Sequence, residues 1–450
     1  MAPQRLAVAG GEPTVDAGRH VRWPVLTDDD RAAVLGVLSR GVLSGPFAPE
    51  VRGLEREFAA FIGSRHALAT NSGTAALHVA VAAAGVGPGD EVITPAFSFV
   101  ATAMSVLHHA AIPVFVDIEP ETFGIDPGKI EAAITERTRA IIPVHLHGMP
   151  CRIDAVAAIA KKHGLALIED AAQAHGATWK GKRVGSFGAL GCFSLQSSKN
   201  LACGEGGVTV TDDPELLQRA NRTRMFGENV RPEDEATYRL DRALDGDRAY
   251  DSETVGWMYR TTEMSAALAR SQLRRLETMN EQARRNAGVL SRALGKLPGV
   301  TPPAVPDGAV PVWHKYRVRL DASKAGLDAP PRRVRDAMVR ALKAEGVDAV
   351  LWQTQPVPGQ TLFRRKVGYG VAKGAKVGCP WDHGREVSYD FAQYPETQAL
   401  LDSSLCLFSH TYPIAPQPLA IVEQYAEAFA RVWTRLDEAL AVSEGAGAAA

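Results

Sequence analysis

The sequence predicts an α/β protein with a large domain, built on a mostly parallel sheet covered by helices, and a smaller C-terminal α/β domain. In the first half, short β-branched runs alternate with helix-like stretches, which is typical of a parallel sheet. After a proline-rich break at 298–311, a strand and two further helices are expected. A chain of 450 residues is also longer than a single core usually supports.

The elements of the first half follow from local pattern. Strands are expected at 91–94, 112–116, 140–144 and 165–168, and helices at 28–39, 50–62, 74–84, 101–109 and 153–163. The strand runs are nearly continuous in apolar residues, as strands buried on both faces require. Because ligands of such sheets bind at the carboxyl ends of the strands, functional residues are expected there.

The chain divides into four parts. The large domain is predicted at 1–261, and a single linking helix at 262–297, where apolar residues recur near the helical period. The small domain is predicted at 298–442. It contains a long irregular loop at 353–399, and 443–450 are expected to form a disordered tail.

The charge balance and the distribution of apolar residues indicate which kinds of binding partner to expect. The 50 basic and 51 acidic residues give a net charge of -1, which offers no global attraction to nucleic acid or to an anionic membrane. The first 15 residues lack the apolar core of a signal peptide, and no apolar run approaches transmembrane length. These features favour a cytoplasmic protein that binds small molecules.

No metal site is expected. The five cysteines are scattered and never in Cys-x-x-Cys spacing, which argues against a disulfide framework and against zinc. His145 and His147 fall on one face of a strand, so a metal pair is conceivable, but no carboxylate or cysteine joins them at suitable spacing. A structural or substrate-side role is the favoured interpretation.

The first motif with possible chemistry is the small-residue turn at 71–77, which opens a helix. Such a turn presents unpaired backbone N–H groups and the positive helix end to an anion, which suits a phosphate. Serine and threonine also cap many ordinary helices. The turn alone therefore leaves both interpretations open.

The second motif is an apolar strand that ends at Asp170. A carboxylate in that position can keep a pyridine nitrogen protonated and make the ring an electron sink, although an aspartate after a strand can equally cap a helix. The third motif is Lys199, which lies between two apolar strands and beside a glycine-rich turn at 204–207. Partial desolvation lowers the pKa of such a lysine and favours Schiff-base formation.

In this order, the three motifs resemble the DegT/DnrJ/EryC1/StrS aminotransferases, a branch of the fold-type I pyridoxal-phosphate enzymes. The resemblance covers almost the whole chain, from Gly-Gly-Glu-Pro at 10–13 through 89–95 to Ala-Ala-Leu at 266–268. It implies a fold-type I aminotransferase-like fold and pyridoxal 5'-phosphate as the cofactor.

The resemblance assigns ring contacts residue by residue. Lys199 matches the Schiff-base lysine of the family, and Asp170 matches the partner of the pyridine nitrogen. Gln173 matches a position beside the ring hydroxyl. Phe99 falls where the family stacks an aromatic side chain on the cofactor, as packing on a π-face requires.

The resemblance also assigns phosphate contacts, to Ser194 and to the backbone of Gly73 and Thr74. A further contact is implied for Arg260, in a segment that the family extends into the neighbouring subunit of a homodimer with shared sites. That segment usually reads Gly-Tyr-Asn-Tyr-Arg, and here Met258 replaces the asparagine. The replacement puts one cross-subunit contact in doubt.

The implied reaction transfers an amino group from glutamate or glutamine to a keto group on a cyclitol or related ring, in the biosynthesis of aminosugars or of secondary metabolites such as antibiotics. A nucleotide-linked keto-sugar is the alternative acceptor, and a non-catalytic cofactor-binding regulator is the alternative class. Lys199 argues against the family's dehydratases, which carry histidine there. The loop at 353–399 is expected to shape the acceptor site.

Overall fold

The computed structural model describes residues 5–45, 48–228, 251–369, 378–383 and 386–447, without the side chains of 443–447. It confirms the predicted fold class, since the large domain is a seven-stranded sheet with helices on both faces. The strands of the first half are β1 (His66–Thr70), β2 (Glu91–Pro95), β3 (Ile112–Val116), β4 (Thr138–Ile141), β5 (Ala166–Asp170), β6 (Thr178–Trp179), β7 (Lys182–Arg183), β8 (Leu190–Ser194) and β9 (Gly207–Thr211).

The large sheet has the order β1-β9-β8-β5-β4-β2-β3. The neighbours from β3 to β8 pair in parallel, whereas β9 runs antiparallel to both β8 and β1. The carboxyl ends of β4, β5 and β8 therefore lie side by side near the middle of the sheet. A ligand of an open α/β sheet is expected at these strand ends.

The helices of the large domain are Asp28–Arg40, Pro49–Ile62, Gly73–Ala83, Ala101–Leu107, Pro127–Ile130, Ile153–His163 and Pro214–Arg224. The first begins at a capping box, in which Thr27 and Asp30 each bond the other's backbone, and it ends at Gly41 with φ of 74°. Nowhere in the described ranges is a helix both long and apolar enough to cross a membrane.

The linking region is not one helix, as 262–297 was predicted to be, but two, Glu263–Leu273 and Leu276–Leu294. The chain leaves helical geometry at Arg275, whose φ is −112° and ψ is 2°. The Arg275 guanidinium donates to the carbonyl of Val25 and to the carboxylate of Asp30, both at 2.6 Å. These contacts with the start of the chain accompany a break that apolar periodicity does not reveal.

The small domain contains an antiparallel sheet of order β10-β12-β14-β13. Its strands are β10 (Val300–Thr301), β12 (Tyr316–Leu320), β13 (Ala349–Val350) and β14 (Ser404–Leu407), while β11 (Ala309–Val310) pairs with β6. Its helices are Pro331–Ala344, Thr361–Arg364, Pro395–Ser403, Leu419–Trp433 and Leu436–Gly447. The last helix continues through 443–447, so the predicted disordered tail is wrong there, and 448–450 lie outside the described residues.

The N-terminal residues pack on the small domain, although 1–261 was assigned to the large one. The buried carboxylate of Glu345 accepts hydrogen bonds from the backbone of Ala7 and from the backbone and hydroxyl of Thr14, at 2.7 to 3.0 Å. Leu6 and Val15 are buried in the same contact. The stretch from Leu6 to Val15 therefore lies on the small domain, and the chain enters the large domain after it.

The irregular segment at 353–399 packs along β3, which is an edge strand of the large sheet. The Tyr389 hydroxyl donates to the carbonyl of Pro113 on β3 at 2.9 Å. The rings of Phe363 and Tyr389 meet that of Phe115 edge-on, with centroids 5.2 and 5.6 Å away. The described parts of this segment thus form a cover over the edge of the sheet.

Candidate active site

A cavity of about 600 Å³ opens at the carboxyl ends of β5 and β8. Seven of the eight residues predicted for the site line it together. They are Gly73, Thr74, Phe99, Asp170, Gln173, Ser194 and Lys199. The parallel arrangement of the strands explains this convergence, because residues that are far apart in sequence follow the carboxyl ends of neighbouring strands.

Asp170 is buried at the end of β5. One carboxylate oxygen accepts the hydroxyl of Thr102 at 2.7 Å and the other accepts the backbone N–H of Ala172 at 3.1 Å. Burial raises the pKa of the Asp170 carboxyl, against the opposing effects of these two hydrogen bonds and of the Lys199 charge. A cationic partner in the cavity would favour the ionised form further.

Lys199 follows β8 in a turn held by the bond from its backbone N–H to the carbonyl of Gln196, at 2.8 Å. Its own carbonyl accepts the indole N–H of Trp23 at 3.1 Å. Burial lowers the pKa of the Lys199 amine to about 8, and the Asp170 charge partly offsets that effect. A usable fraction of the amine is therefore neutral near physiological pH, as a nucleophilic lysine requires.

The helix Gly73–Ala83 points its N-terminus into the cavity, with Ser72 as its cap. Gly73 packs so closely on β8 that an added Cβ would lie 2.5 Å from the Cβ of Ser194. Only glycine allows this approach, which sets free backbone N–H groups beside the Ser194 hydroxyl. The result is a cradle suited to a phosphate.

Glu169, the neighbour of Asp170 in sequence, points to the opposite face of β5 and stabilises the backbone around the site. Its buried carboxylate accepts the backbone N–H groups of Gly185, Phe187 and Gly188 at 2.6 to 2.8 Å. It also meets His145 Nε2 at 3.0 Å. These bonds fix the turn that leads into β8 and so position the strand that carries Ser194.

His145 and His147 were predicted to lie on one face of a strand, but β4 ends at Ile141 and both residues belong to the 3-10 turn Leu146–Gly148 and its cap, where they make different contacts. His145 bonds Glu169, whereas His147 accepts a hydrogen bond from the guanidinium of Arg317 through Nε2 at 3.0 Å. The backbone N–H of His147 donates to the side-chain oxygen of Gln173 at 2.8 Å, which orients the Gln173 amide in the cavity wall.

Arg260 does not line this cavity. The segment before it runs beside the phosphate cradle, since the backbone N–H of Asn71 donates to the carbonyl of Tyr259 at 2.8 Å. The buried Nε of Arg260 has no hydrogen-bond partner within the described ranges. Met258 is 40 % exposed on the same segment.

The outer wall of the cavity was not predicted from the sequence. That wall is formed by Arg22, Trp23, His314, Trp352, His410 and Thr411. These residues come from four separate stretches of the chain and carry no local motif. Thr102, in the first turn of the helix Ala101–Leu107, was not predicted either, although its hydroxyl donates to Asp170 at 2.7 Å.

No residue of the described part of 353–399 lines the cavity, although Trp352 just before it does. The described part of the loop therefore does not shape the cavity of the same chain, and 370–377 and 384–385 lie outside the described residues. Phe363, Trp381, Tyr389 and Tyr394 pack in one apolar cluster with Phe115 of β3 instead.

The residues present fit pyridoxal phosphate. The glycine-dependent cradle suits the phosphate. The buried Asp170 has no cationic hydrogen-bond partner among the described residues and can meet the ring nitrogen, and Lys199 lines the same cavity. A doubly covered parallel sheet with this site defines the fold-type I pyridoxal-phosphate enzymes.

Residues 24–376 match the DegT/DnrJ/EryC1/StrS aminotransferase family. The chain is 39 % identical over 349 residues to the "Spore coat polysaccharide biosynthesis protein SpsC" of Bacillus subtilis (strain 168), covering 78 % of this chain and 86 % of that one. It is 40 % identical over 323 residues to a "Pleiotropic regulatory protein" of Geobacillus stearothermophilus, covering 71 % and 78 %.

Among solved structures, the chain resembles 3-amino-5-hydroxybenzoic acid (AHBA) synthase, with a TM-score of 0.77 and 31 % identity over 92 % of this chain and 99 % of that one. It also resembles DesV of S. venezuelae, with a TM-score of 0.74 and 32 % identity over 92 % and 98 %. The chain belongs to the DegT/DnrJ/EryC1/StrS family and is a pyridoxal-phosphate-dependent aminotransferase.

Proposed function

We propose that this enzyme transfers an amino group from glutamate or glutamine to a keto group on a cyclitol or related hydroxylated ring, in the cytoplasm, for aminosugar or secondary-metabolite biosynthesis. The observation that carries the proposal is the pair of imidazoles, His314 and His410, on the wall that faces Lys199. Burial holds the pKa of His314 well below its usual value and lowers that of His410 to about 4, and in both cases nearby lysine charge adds to the effect.

Both imidazoles are therefore neutral at physiological pH, and each can donate one hydrogen bond and accept another. Each hydroxyl group on a ring also donates one hydrogen bond and accepts others, so neutral imidazoles are suitable partners. Trp352 adds an aromatic face on which a saturated ring can pack. The similarity to AHBA synthase supports an acceptor built on a ring.

The chain's own groups account for the proton and charge steps. Bound pyridoxal phosphate supplies an aldehyde for the amino group and a protonated ring that accepts electron density. The Asp170 carboxylate would keep that ring protonated, and the backbone N–H groups of Gly73 and Thr74 with the Ser194 hydroxyl would hold the phosphate. The Nζ of Lys199 would hold the cofactor and, as a free amine, would carry a proton to or from the reacting carbon.

A nucleotide-linked keto-sugar is the second candidate acceptor. Arg22 is exposed at the mouth of the cavity, where a guanidinium can meet a diphosphate. The chain also resembles DesI, solved with its TDP-sugar product, with a TM-score of 0.75 and 28 % identity over 96 % of both chains.

Separated half-reactions test the proposal. Glutamate or glutamine should shift the absorbance of the bound cofactor, and keto-cyclitols should restore it faster than nucleotide-linked keto-sugars do. Faster recovery with the nucleotide-linked compounds would favour the second acceptor. No shift with any amino donor would favour a cofactor-binding regulator, the class that the name of the Geobacillus relative suggests.

We also propose a homodimer whose sites are completed across the two-fold axis. The segment that ends at Arg260 exposes apolar side chains, with Val255 at 80 % and Met258 at 40 %, and Phe226 beside it is 47 % exposed. Contiguous apolar exposure of this kind is typical of an interface. A guanidinium with an unpartnered buried Nε suits a phosphate in the neighbouring site.

Complementation tests the shared site. Lys199→Ala and Arg260→Ala subunits, each inactive alone, are mixed under conditions of subunit exchange. If each site draws these two residues from different chains, some mixed dimers contain one intact site and activity partly returns. A monomer by light scattering, or no recovery despite demonstrated exchange, would overturn the shared-site proposal.

A further inference from the structure

A thiol, a carboxylate and an imidazole converge on one turn of the segment that covers β3. The donor atoms of Cys379, Asp382 and His383 all lie within 4.8 Å of one another. His383 Nε2 is 3.5 Å from Asp382 Oδ1. Within the described ranges this is the single group of three or more such residues close enough to share a cation.

The turn geometry explains the convergence. The backbone N–H of Trp381 donates to the carbonyl of Gly378 and that of His383 to the carbonyl of Pro380, both at 3.0 Å. Hydrogen bonds between residues three apart place Cys379 and Asp382 on the same side of the turn. Trp381 points the opposite way and is buried against the rings of the cover.

The turn is anchored to the rest of the molecule. The backbone N–H of Tyr369 donates to the carbonyl of Cys379 at 2.8 Å, which ties two parts of the segment together. The carbonyl of His383 lies 2.9 Å from the position that a Cβ on Gly89 would occupy, so the turn also packs on the loop that leads into β2. The three donor groups therefore sit on a supported backbone.

Exposure distinguishes Cys379 from the other cysteines. Cys151, Cys192, Cys203 and Cys406 are buried, whereas Cys379 is partly exposed next to the exposed side chains of Asp382 and His383. A solvent-accessible thiol, an imidazole and a carboxylate form a donor set that binds zinc in preference to magnesium or calcium. In a tetrahedral zinc site these donors lie about 3.5 Å apart, so small side-chain rotations suffice.

We propose that Cys379, Asp382 and His383 bind a zinc ion, with solvent in the fourth position. The ion clips the turn at 378–383 against the large domain and is separate from the transamination site, because none of its three ligands lines the cofactor cavity. The absence of Cys-x-x-Cys spacing, which argued against zinc in the sequence, does not test for a site of mixed ligands.

The test uses the cofactor-loaded enzyme, stripped of metal with a chelator and titrated with Zn²⁺ against a competing indicator. One zinc per chain is expected, and Mg²⁺ in excess should not displace it. Cys379→Ser and His383→Gln should each weaken zinc affinity about tenfold or more, since loss of a group that only orients a metal ligand already costs about that much. Co²⁺ should give a thiolate absorption in the difference between wild type and Cys379→Ser.

His163→Gln is the matched control, since His163 meets the carboxylate of Glu131 at 2.9 Å on the surface without a thiol. Its zinc affinity should equal that of wild type. All variants should retain the donor half-reaction, which shows that they fold. The proposal is overturned by binding of less than one zinc per chain, by a smaller loss in either ligand variant, or by an equal loss in His163→Gln.

Discussion

Two buried lysines in this enzyme meet different surroundings. Lys199 lines an open cavity of about 600 Å³ and is balanced by the charge of Asp170, whereas Lys315 is 2 % exposed beside a pocket of about 10 Å³, large enough for about one water molecule. The Lys315 Nζ has no hydrogen-bond partner in the part of the chain that the structure describes.

Burial depresses both amines, lowering the pKa of Lys199 to about 8 and that of Lys315 to about 7. Desolvation alone therefore does not mark the reactive lysine. Both amines feel a carboxylate charge, from Asp170 and from Asp348 respectively, so access to the open cavity is what distinguishes Lys199. Four measurements sharpen or break this contrast.

The largest effect is expected from Lys199→Ala, which removes both the cofactor attachment and the proton carrier. Turnover should fall by about 10³-fold or more. Borohydride reduction of wild type, followed by peptide mapping, should locate the pyridoxyl group on Lys199. A label on Lys315 would reverse the comparison.

Asp170→Asn should lower turnover by about 10²-fold, because the amide cannot hold the ring nitrogen protonated. The asparagine oxygen can still accept the Thr102 hydroxyl, so the fold should be preserved by circular dichroism. Near-normal turnover in a folded variant would contradict the assignment.

Lys315→Met should stabilise the protein by about 2 kcal/mol, because it replaces a buried cation that has no hydrogen-bond partner among the described residues by an apolar side chain of similar length. The folded-state pKa of about 7 lies below the ordinary 10.5, so the penalty on the wild type is full below pH 7 and disappears as the pH rises toward 10.5. Thermal unfolding at several pH values checks both sign and window. A destabilised variant would show that Lys315 has a partner in the folded enzyme.

Capture of pyridoxal phosphate by the apoenzyme should slow about tenfold per pH unit below pH 8, because the neutral Lys199 amine is the reactive form. Above pH 8 the rate should level off. Stopped-flow absorbance measures the profile, with free lysine as the control. A midpoint near that of free lysine would show that burial does not tune this amine.

The strand-end chemistry could be predicted from the sequence because it is local. An apolar strand that ends at Asp170 and a small-residue turn at 71–77 are visible within about ten residues, and the parallel sheet brings them together. His314 and His410 reach the same cavity from the small domain, and no short-range pattern shows which histidines will do so.

The same limit applies to the fold. The helix break at Arg275 accompanies bonds to residues about 250 positions earlier, so apolar periodicity passes through it unchanged. The packing of the N-terminal residues on the small domain likewise depends on Glu345, whose hydrogen-bond partners lie more than 300 positions earlier in the sequence. Both differences come from long-range hydrogen bonds rather than from local propensity.

The hydrogen bond from Tyr389 to the carbonyl of Pro113 bears on whether the protein aggregates in concentrated solution. The edge strand β3 reads Ile-Pro-Val-Phe-Val, an apolar run that could recruit strands from other molecules if its outer side were bare. The cover contributed by 353–399 blocks such intermolecular strand addition. A chain shortened there would aggregate before its catalysis could be judged, and light scattering would reveal this.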